Sequence, residues 1–153
     1  MLELKIGSKN YKIEYSVEAA LYGNCTEKVA EFFTNGATAQ GKEAIKTFIS
    51  TIADLPKLAL EMFYAGLMEH HGENGDRTVL SVDDAKALLT KLIKDNKGEE
   101  LGNFYGVIGV LMGQMADDGF FDMIGLTQIT ENLNQTKKAQ KAQKAPQDHK
   151  KNA

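Results

Sequence analysis

The fold class follows from residues 2–15, whose sequence is LELKIGSKNYKIEY. Apolar and polar side chains alternate from Leu2 to Ile6 and again from Tyr11 to Tyr15, with Gly-Ser-Lys-Asn at 7–10 between them. Alternation with a period of two on both sides of such a turn predicts a β-hairpin. Because an isolated hairpin is only marginally stable, its apolar face must pack on the rest of the chain.

From Ser16 onward the apolar residues recur with the period of an α-helix. Capping residues, glycines and proline divide this region. Six helical segments are expected. The first is short, bears Val17 and Leu21 and lies between Ser16 and Gly23-Asn24; the second runs from a Thr26 cap to Asn35-Gly36, and the third covers 40–53. The fourth starts at Asp54-Leu55-Pro56 and runs to a polar loop at 71–76, the fifth runs from Ser81 to Lys97-Gly98, and the sixth covers about 99–116, bears Tyr105 in its apolar stripe and ends at Asp117-Asp118-Gly119. The sequence therefore predicts an α+β, mainly helical domain over residues 1–126, with the hairpin packed on five to six helices.

The composition changes abruptly after Leu126. Residues 127–153 are rich in Lys, Gln and Ala and contain no large apolar cluster, so that they cannot offset their conformational entropy by burial. We expect a disordered tail.

The charge is divided between these two parts of the chain. Residues 127–153 contain six lysines and two acidic residues, Glu131 and Asp148, and so have a net charge of +4. Because the net charge of the whole chain is −3, residues 1–126 have a net charge of −7. Arg77 is the only arginine, and arginine is the residue that best recognises phosphate and guanine. An acidic body with one arginine argues against a nucleic-acid-binding protein.

Potential catalytic and metal-binding groups all have a structural interpretation. The segment Glu69-His70-His71-Gly72-Glu73 matches no helical two-ligand motif and is expected to be a solvated helix end. Asp83-Asp84 and Asp117-Asp118 lie where carboxylates favour helix starts and loops. Cys25 has no second cysteine and is expected to be a small, half-buried apolar residue. We therefore expect no enzyme, no catalytic residue, no cofactor and no metal.

A cytoplasmic location is expected for two reasons. The N-terminus lacks the charged start and apolar run of a secretory signal. No stretch approaches the roughly 18 apolar residues that a membrane span needs.

Glycines are unusually frequent near the end of the folded region. Gly102, Gly106, Gly109 and Gly113 are spaced by four, three and four residues, which places them near one helix face. Glycine there allows close approach of another backbone, either within the monomer or at a surface for self-association or a partner.

Methionine and phenylalanine follow in the same region, and methionine adapts to irregular partners. Core packing is the default interpretation of these residues, but the last apolar segment before a solvated tail should be partly accessible. The residues that we predict to contact a protein partner are Phe104, Gly106, Gly109, Leu111, Met112, Met115, Phe120 and Phe121.

Two segments carry a resemblance to a known family. The stretch LALEMFYAGL at 58–67, a following polar loop, and LSVDDA at 80–85 resemble the tail assembly chaperones of long-tailed bacteriophages, and the N-terminal hairpin is also similar. The resemblance covers roughly residues 2–126. The pair of early helices between 17 and 35 departs from the family pattern.

The resemblance implies a protein that binds the long, helical tape-measure protein, keeps it soluble, recruits tail-tube subunits, and is absent from the finished virion. It places the protein in the bacterial host cytoplasm. The family is usually made in a short and a long form by ribosomal frameshifting. This chain would be the short form, with Lys137-Lys138 as a candidate slippery site. The alternatives are a structural head–tail subunit and a regulatory protein that contacts nucleic acid through its basic tail.

Overall fold

The computed structural model describes residues 1–22, 25–38, 42–128, 131, 132 and 135, without the side chains of residues 32–38, 42–49 and 51. The elements are strands β1 (Leu2–Ile6) and β2 (Lys9–Ile13) and helices α1 (Val17–Leu21), α2 (Cys25–Thr38), α3 (Lys42–His71), α4 (Val82–Asp95), α5 (Phe104–Asp117) and α6 (Phe120–Met123), with a 3-10 turn at Glu100–Gly102 between α4 and α5. The predicted fold class is confirmed.

The chain divides into two compact units, Met1–Phe120 and Phe121–Ala153. Most of the predicted tail at 127–153 lies outside the described residues, so its disorder and the predicted boundary after residue 126 stay predictions. All the contacts discussed below lie in the first unit.

The hairpin forms where the alternation predicts it. The strands are antiparallel, and the pair Ile6–Lys9 leaves Gly7-Ser8 as a two-residue turn, shorter than the predicted four. Gly7 has a φ of +67°, the conformation that a type II′ turn requires at its first central position. β2 packs on α3, and β1 contacts α4.

Helix α3 is the central element of the first unit, because α1, α2, α4, α5 and β2 all pack against it. The predicted apolar stripe of its second half is completely or almost completely buried, as Leu58, Met62, Phe63 and Leu67 show. Gly66 lets the hairpin approach closely: a Cβ atom there would lie 2.7 Å from Ile13 Cγ2.

The predicted helix break at Asp54-Leu55-Pro56 is wrong, since α3 runs through Pro56 without interruption. Proline removes one backbone donor, so that the carbonyl of Ile52 loses its bond from position 56. Burial of Leu58, Ala59 and the residues after them outweighs this local cost. The predicted stop at Asn35-Gly36 is also wrong, because α2 continues to Thr38; a glycine inside a helix costs only about 1 kcal/mol.

Two predicted caps differ from the structure. The Ser16 hydroxyl makes no cap bond and instead donates to Glu69 Oε2 at 2.8 Å. Thr26 lies inside α2, which begins at Cys25, and its buried hydroxyl has no hydrogen-bond partner among the described residues. The predicted stop at Gly23-Asn24 lies outside the described residues.

Several predicted apolar faces are also corrected. Val17, Leu21 and Tyr105 are 62%, 75% and 77% exposed, whereas the buried residue of α1 is Ala19. In a helix this short, a few apolar positions do not determine which face is buried. Gly102 lies in the 3-10 turn that precedes α5, and so is not part of the same helix as the other three glycines.

Candidate functional site

The eight residues predicted to contact a partner occupy different environments. Leu111, Met115 and Phe120 are completely buried, and such side chains cannot touch a partner while the fold is intact. Met112 and Phe121 are half-buried. Phe104 is also half-buried and Gly109 is exposed, so these four residues keep some surface that a partner could reach.

The glycines of the predicted face separate into two kinds. A Cβ atom on Gly106 would collide with the carbonyl oxygen of Glu100, and one on Gly102 would collide with that of Asn96. These two glycines therefore serve close packing within the monomer. Gly109 and Gly113 face open space and form an exposed row with Tyr105 at intervals of four residues.

An open apolar groove of about 320 Å³ lies between α3 and α4, with the first residue of α5 as its third wall. The groove is lined by Pro56, Lys57, Leu60, Lys86, Leu89, Thr90, Ile93, Lys94 and Phe104. Its floor is formed by aliphatic and aromatic side chains. Only Leu89 among them is fully buried, so the others keep apolar surface open to solvent.

The polar residues of the groove lie along its edges. Lys57 is on the α3 side, and Lys86 and Lys94 are on the α4 side. All three lysines are exposed, and none of them forms an ion pair within the described residues. All the charged residues that line the groove are therefore positive, on a body whose residues 1–126 carry −7.

The spacing on α4 produces this arrangement. Lys86, Thr90 and Lys94 recur every four residues and therefore lie in one row. Leu89 and Ile93 form the adjacent apolar row, which faces α3. The Ser81 cap determines where this helix begins: its hydroxyl accepts from Asp84 N at 3.2 Å, and Asp84 Oδ2 accepts from Leu80 N at 2.9 Å. The predicted Ser81 cap is confirmed.

A second cap positions the aromatic wall. Asn103 Oδ1 accepts from Gly106 N at 2.8 Å and starts α5, so that Phe104 is its first residue. The preceding 3-10 turn contacts α4. Phe104 is thus held at the groove by local backbone geometry.

His71 connects the hairpin to the end of α3. Its Nε2 accepts a hydrogen bond of 2.9 Å from the backbone N–H of Lys12, and its Nδ1 lies 3.0 Å from Asp76 Oδ2. Because Nε2 accepts, the proton of the neutral ring is on Nδ1, which donates to the carboxylate. His71 is buried, and the prediction of a solvated helix end is wrong for it.

The Asp76 carboxylate is the acceptor at the centre of this cluster. Thr78 donates to its Oδ1 through both N–H (3.0 Å) and hydroxyl (2.6 Å), and Lys9 donates to its Oδ2 at 3.1 Å. Burial acts to raise the pKa of this carboxyl, but the bonds from Thr78, Lys9 and His71 outweigh it and hold the pKa below its usual value. The cluster therefore stabilises the loop after α3.

Asp118, of the acidic pair Asp117-Asp118, has a structural role. Asp118 Oδ2 accepts from Tyr15 N at 2.8 Å, and its Oδ1 accepts from Gln114 at 2.8 Å. The Tyr15 hydroxyl donates to Met62 O at 2.8 Å, so that Tyr15, two residues after β2, is bound both to α3 and to the C-cap residue of α5.

Cys25 is completely buried, deeper than predicted. Burial, with the nearby Glu61 charge, raises the pKa of its thiol to about 12. A thiol with so high a pKa carries almost no thiolate, the form that reacts.

Within the described ranges, no three or more His, Cys, Asp or Glu side chains are grouped so that they could hold a metal ion. In the same part of the chain, no helix combines the length and apolar character needed to cross a membrane.

Comparison of the chain with protein-family models, with curated proteins and with solved structures finds no match. The groove is the feature that sequence reasoning missed. Its signal was the row Lys86–Thr90–Lys94 beside Leu89 and Ile93, but only the packing of α3 shows that the two rows border open space.

Proposed function

We propose that this chain is a tail assembly chaperone of a long-tailed bacteriophage. It binds the tape-measure protein in the host cytoplasm, keeps it soluble and helps to recruit tail-tube subunits. The role is non-enzymatic: it requires a surface for an amphipathic helix and no catalytic group.

The observation that carries this proposal is the open apolar groove between α3 and α4. An amphipathic helix binds a partner by laying its apolar stripe into such a groove, with anchors at intervals of three and four residues. Apolar side chains on a long helical client would otherwise drive its self-association, and the exposed surface around Leu60, Ile93 and Phe104 can cover them.

The location of the family-like segments supports the same conclusion. The segment at 58–67 lies in α3, and the segment at 80–85 contains the cap and first turn of α4. The first stretch thus contributes Leu60 to the groove, and the second begins the helix that contributes Leu89 and Ile93.

The test is co-expression with the tape-measure protein of the same phage. We expect the client to be insoluble alone, soluble with this chain, and recovered in a complex by size-exclusion chromatography. A client that remains insoluble, or that is soluble without forming a complex, would contradict the proposal.

A variant that fills the groove tests whether client solubility depends on this surface. Thr90→Trp places a large side chain on an exposed groove position without removing core packing, and it should reduce client solubility. Lys97→Trp, at an exposed position beyond the end of α4, is the matched control and should leave solubility unchanged. Polar substitutions of Met115 or Phe120 would be uninformative, because these buried residues support the fold.

Purified particles and DNA binding separate the alternatives. The chaperone should be absent from finished virions, whereas a head–tail subunit would be present in stoichiometric amount. Binding of mixed-sequence DNA that persists at about 0.2 M salt would instead support a nucleic-acid role for the lysine-rich residues 127–153.

A further inference from the structure

The groove has an electrostatic character that constrains its occupant. Its floor is apolar, and its only charged lining residues are Lys57, Lys86 and Lys94, none of them paired within the described part of the chain. Lys9, Lys28 and Lys91 have a carboxylate partner on this chain. Lys5, Lys12 and Lys97 are exposed and form no ion pair within the described residues, as is true of the groove lysines, but they do not line the groove. The lysines of the groove are therefore available to carboxylates from another molecule.

The positions of the lysines match the geometry of a helix. Lys86 and Lys94 are eight residues apart on α4, a distance of about 12 Å along the axis at 1.5 Å per residue. Carboxylates seven or eight residues apart on an antiparallel or parallel partner helix have nearly the same separation. Lys57, on the α3 side, can pair with acidic residues on the other flank of that helix.

Other occupants fit less well. The lysine-rich residues 127–153 of this chain carry +4 and would be repelled by the groove lysines. A small ligand is normally surrounded on most sides, whereas several lining positions of this groove, including Lys57, Lys86 and Thr90, are exposed to solvent.

We infer that the groove is the docking site for an acidic amphipathic helix of a protein partner. Its apolar stripe packs on Leu60, Leu89, Ile93 and Phe104, and its flanking carboxylates pair with Lys57 on one side and with Lys86 and Lys94 on the other. This rests on the proposed function and adds the chemistry of the client segment: within the tape-measure protein, the bound segment is a helix with acidic flanks.

The test uses designed peptides, so it does not depend on the identity of the client. One helical peptide of about 20 residues has a Leu/Ile stripe flanked by Glu, a second has the same stripe flanked by Lys, and a third is a scramble of the first. Binding to the full chain is measured by fluorescence anisotropy at low and high salt. The Glu-flanked peptide should bind about tenfold or more tightly than the Lys-flanked one, with the difference shrinking as salt screens the exposed pairs.

Charge reversal provides the decisive comparison. Lys86→Glu with Lys94→Glu should weaken binding of the Glu-flanked peptide by about tenfold and should reverse the preference toward the Lys-flanked peptide. Lys5→Glu with Lys97→Glu makes the same change in net charge at exposed positions outside the groove and should preserve the preference. Circular dichroism of each variant establishes that it is folded.

Three outcomes would overturn the inference: equal affinity for the two flanked peptides, a reversal variant that keeps the original preference, or a reversal variant that changes the oligomeric state, which would make a second copy the occupant.

The outcome for the proposed function is separate. If the wild-type chain solubilises the tape-measure protein and the reversal variant does so equally well, the chaperone role stands and the groove is not its client site. If the wild-type chain fails to solubilise that client, the peptide measurements still decide what the groove binds.

Discussion

The backbone N–H of Lys12 donates a 2.9 Å hydrogen bond to Nε2 of His71, across 59 positions of sequence. Through this bond the second strand of the hairpin is attached to the last residue of the central helix. The same ring donates to Asp76, so one buried side chain organises both the hairpin and the loop that leads to α4.

Replacing His71 should therefore destabilise the domain. His71→Ala leaves the Lys12 N–H without its acceptor and Asp76 without one donor, and we expect the free energy of unfolding to fall by about 1–3 kcal/mol. Urea denaturation followed by circular dichroism measures it. The neighbouring His70→Ala is the control: His70 Nε2 lies 3.8 Å from Glu14 Oε1 and makes no hydrogen bond among the described residues, so its loss should cost under about 1 kcal/mol.

The Asp76 carboxyl makes stability depend on acid. Its folded-state pKa lies below the ordinary value of 3.8, so its stabilising contribution is fully present above that value and is lost as the pH falls below it. We expect the contribution of Asp76 to the urea midpoint of the wild type to be constant above about pH 5 and to decline as the pH falls below about 4, whereas the midpoint of Asp76→Asn should start lower and drop less. Parallel pH profiles for the two proteins would show that Asp76 is not responsible.

Gly66 is required for the contact between the hairpin and α3. An alanine Cβ at this position would lie 2.7 Å from Ile13 Cγ2 and 3.0 Å from Tyr15 Cζ, with both partners completely buried. Gly66→Ala should lower the free energy of unfolding by about 1–3 kcal/mol, as overpacking of a core does. A thermal melt with unchanged midpoint would mean that the hairpin can shift to make room.

Gly109 and Gly113 should respond in the opposite direction. Alanine meets no atom within 4 Å at either position, and each substitution should stabilise α5 by about 0.5–1 kcal/mol. The same variants test Gly109 as a contact residue, because a partner that approaches its backbone closely would bind the more stable variant less well. A destabilised Gly109→Ala monomer would contradict the exposed position.

Cys25 should be unreactive in the native protein. Its thiol is completely buried and has its pKa raised to about 12, so a thiol reagent such as DTNB should label it only as the protein unfolds. Labelling with and without urea, monitored by absorbance, checks this. Rapid stoichiometric labelling of the folded protein would mean that the start of α2 opens readily.

Local patterns predicted the elements well and their tertiary relationships poorly. Alternation located both strands, and Ser81 with Asp84 located the start of α4, because these signals act between residues close in sequence. Pro56 locally favours a helix break, but α3 runs through it because the second half of this helix is buried by other elements, which local patterns do not reveal. The spacing of Tyr105 fits the apolar stripe, yet its side chain is 77% exposed, because spacing alone does not show which positions another element covers.

The candidate site depended still more on tertiary structure. Phe104, a predicted contact residue, does line the groove, but the lysines become part of a site only when α4 lies beside α3. Leu111, Met115 and Phe120 were chosen by residue type, and the same apolar character that suits an interface buries them in the core.

The bond from Tyr15 N to Asp118 joins residues 103 positions apart. Because a chain is synthesised from its N-terminus, the hairpin leaves the ribosome long before the residue that secures its end. Closing so long a loop carries a large entropic penalty, which is recovered only when α5 has docked. The apolar side of β2, which packs on α3, therefore stays exposed until α3 has been made, and the end of the hairpin stays unsecured until Asp118 has followed. The first fifteen residues of this proposed chaperone thus pass through an aggregation-prone stage of their own during synthesis.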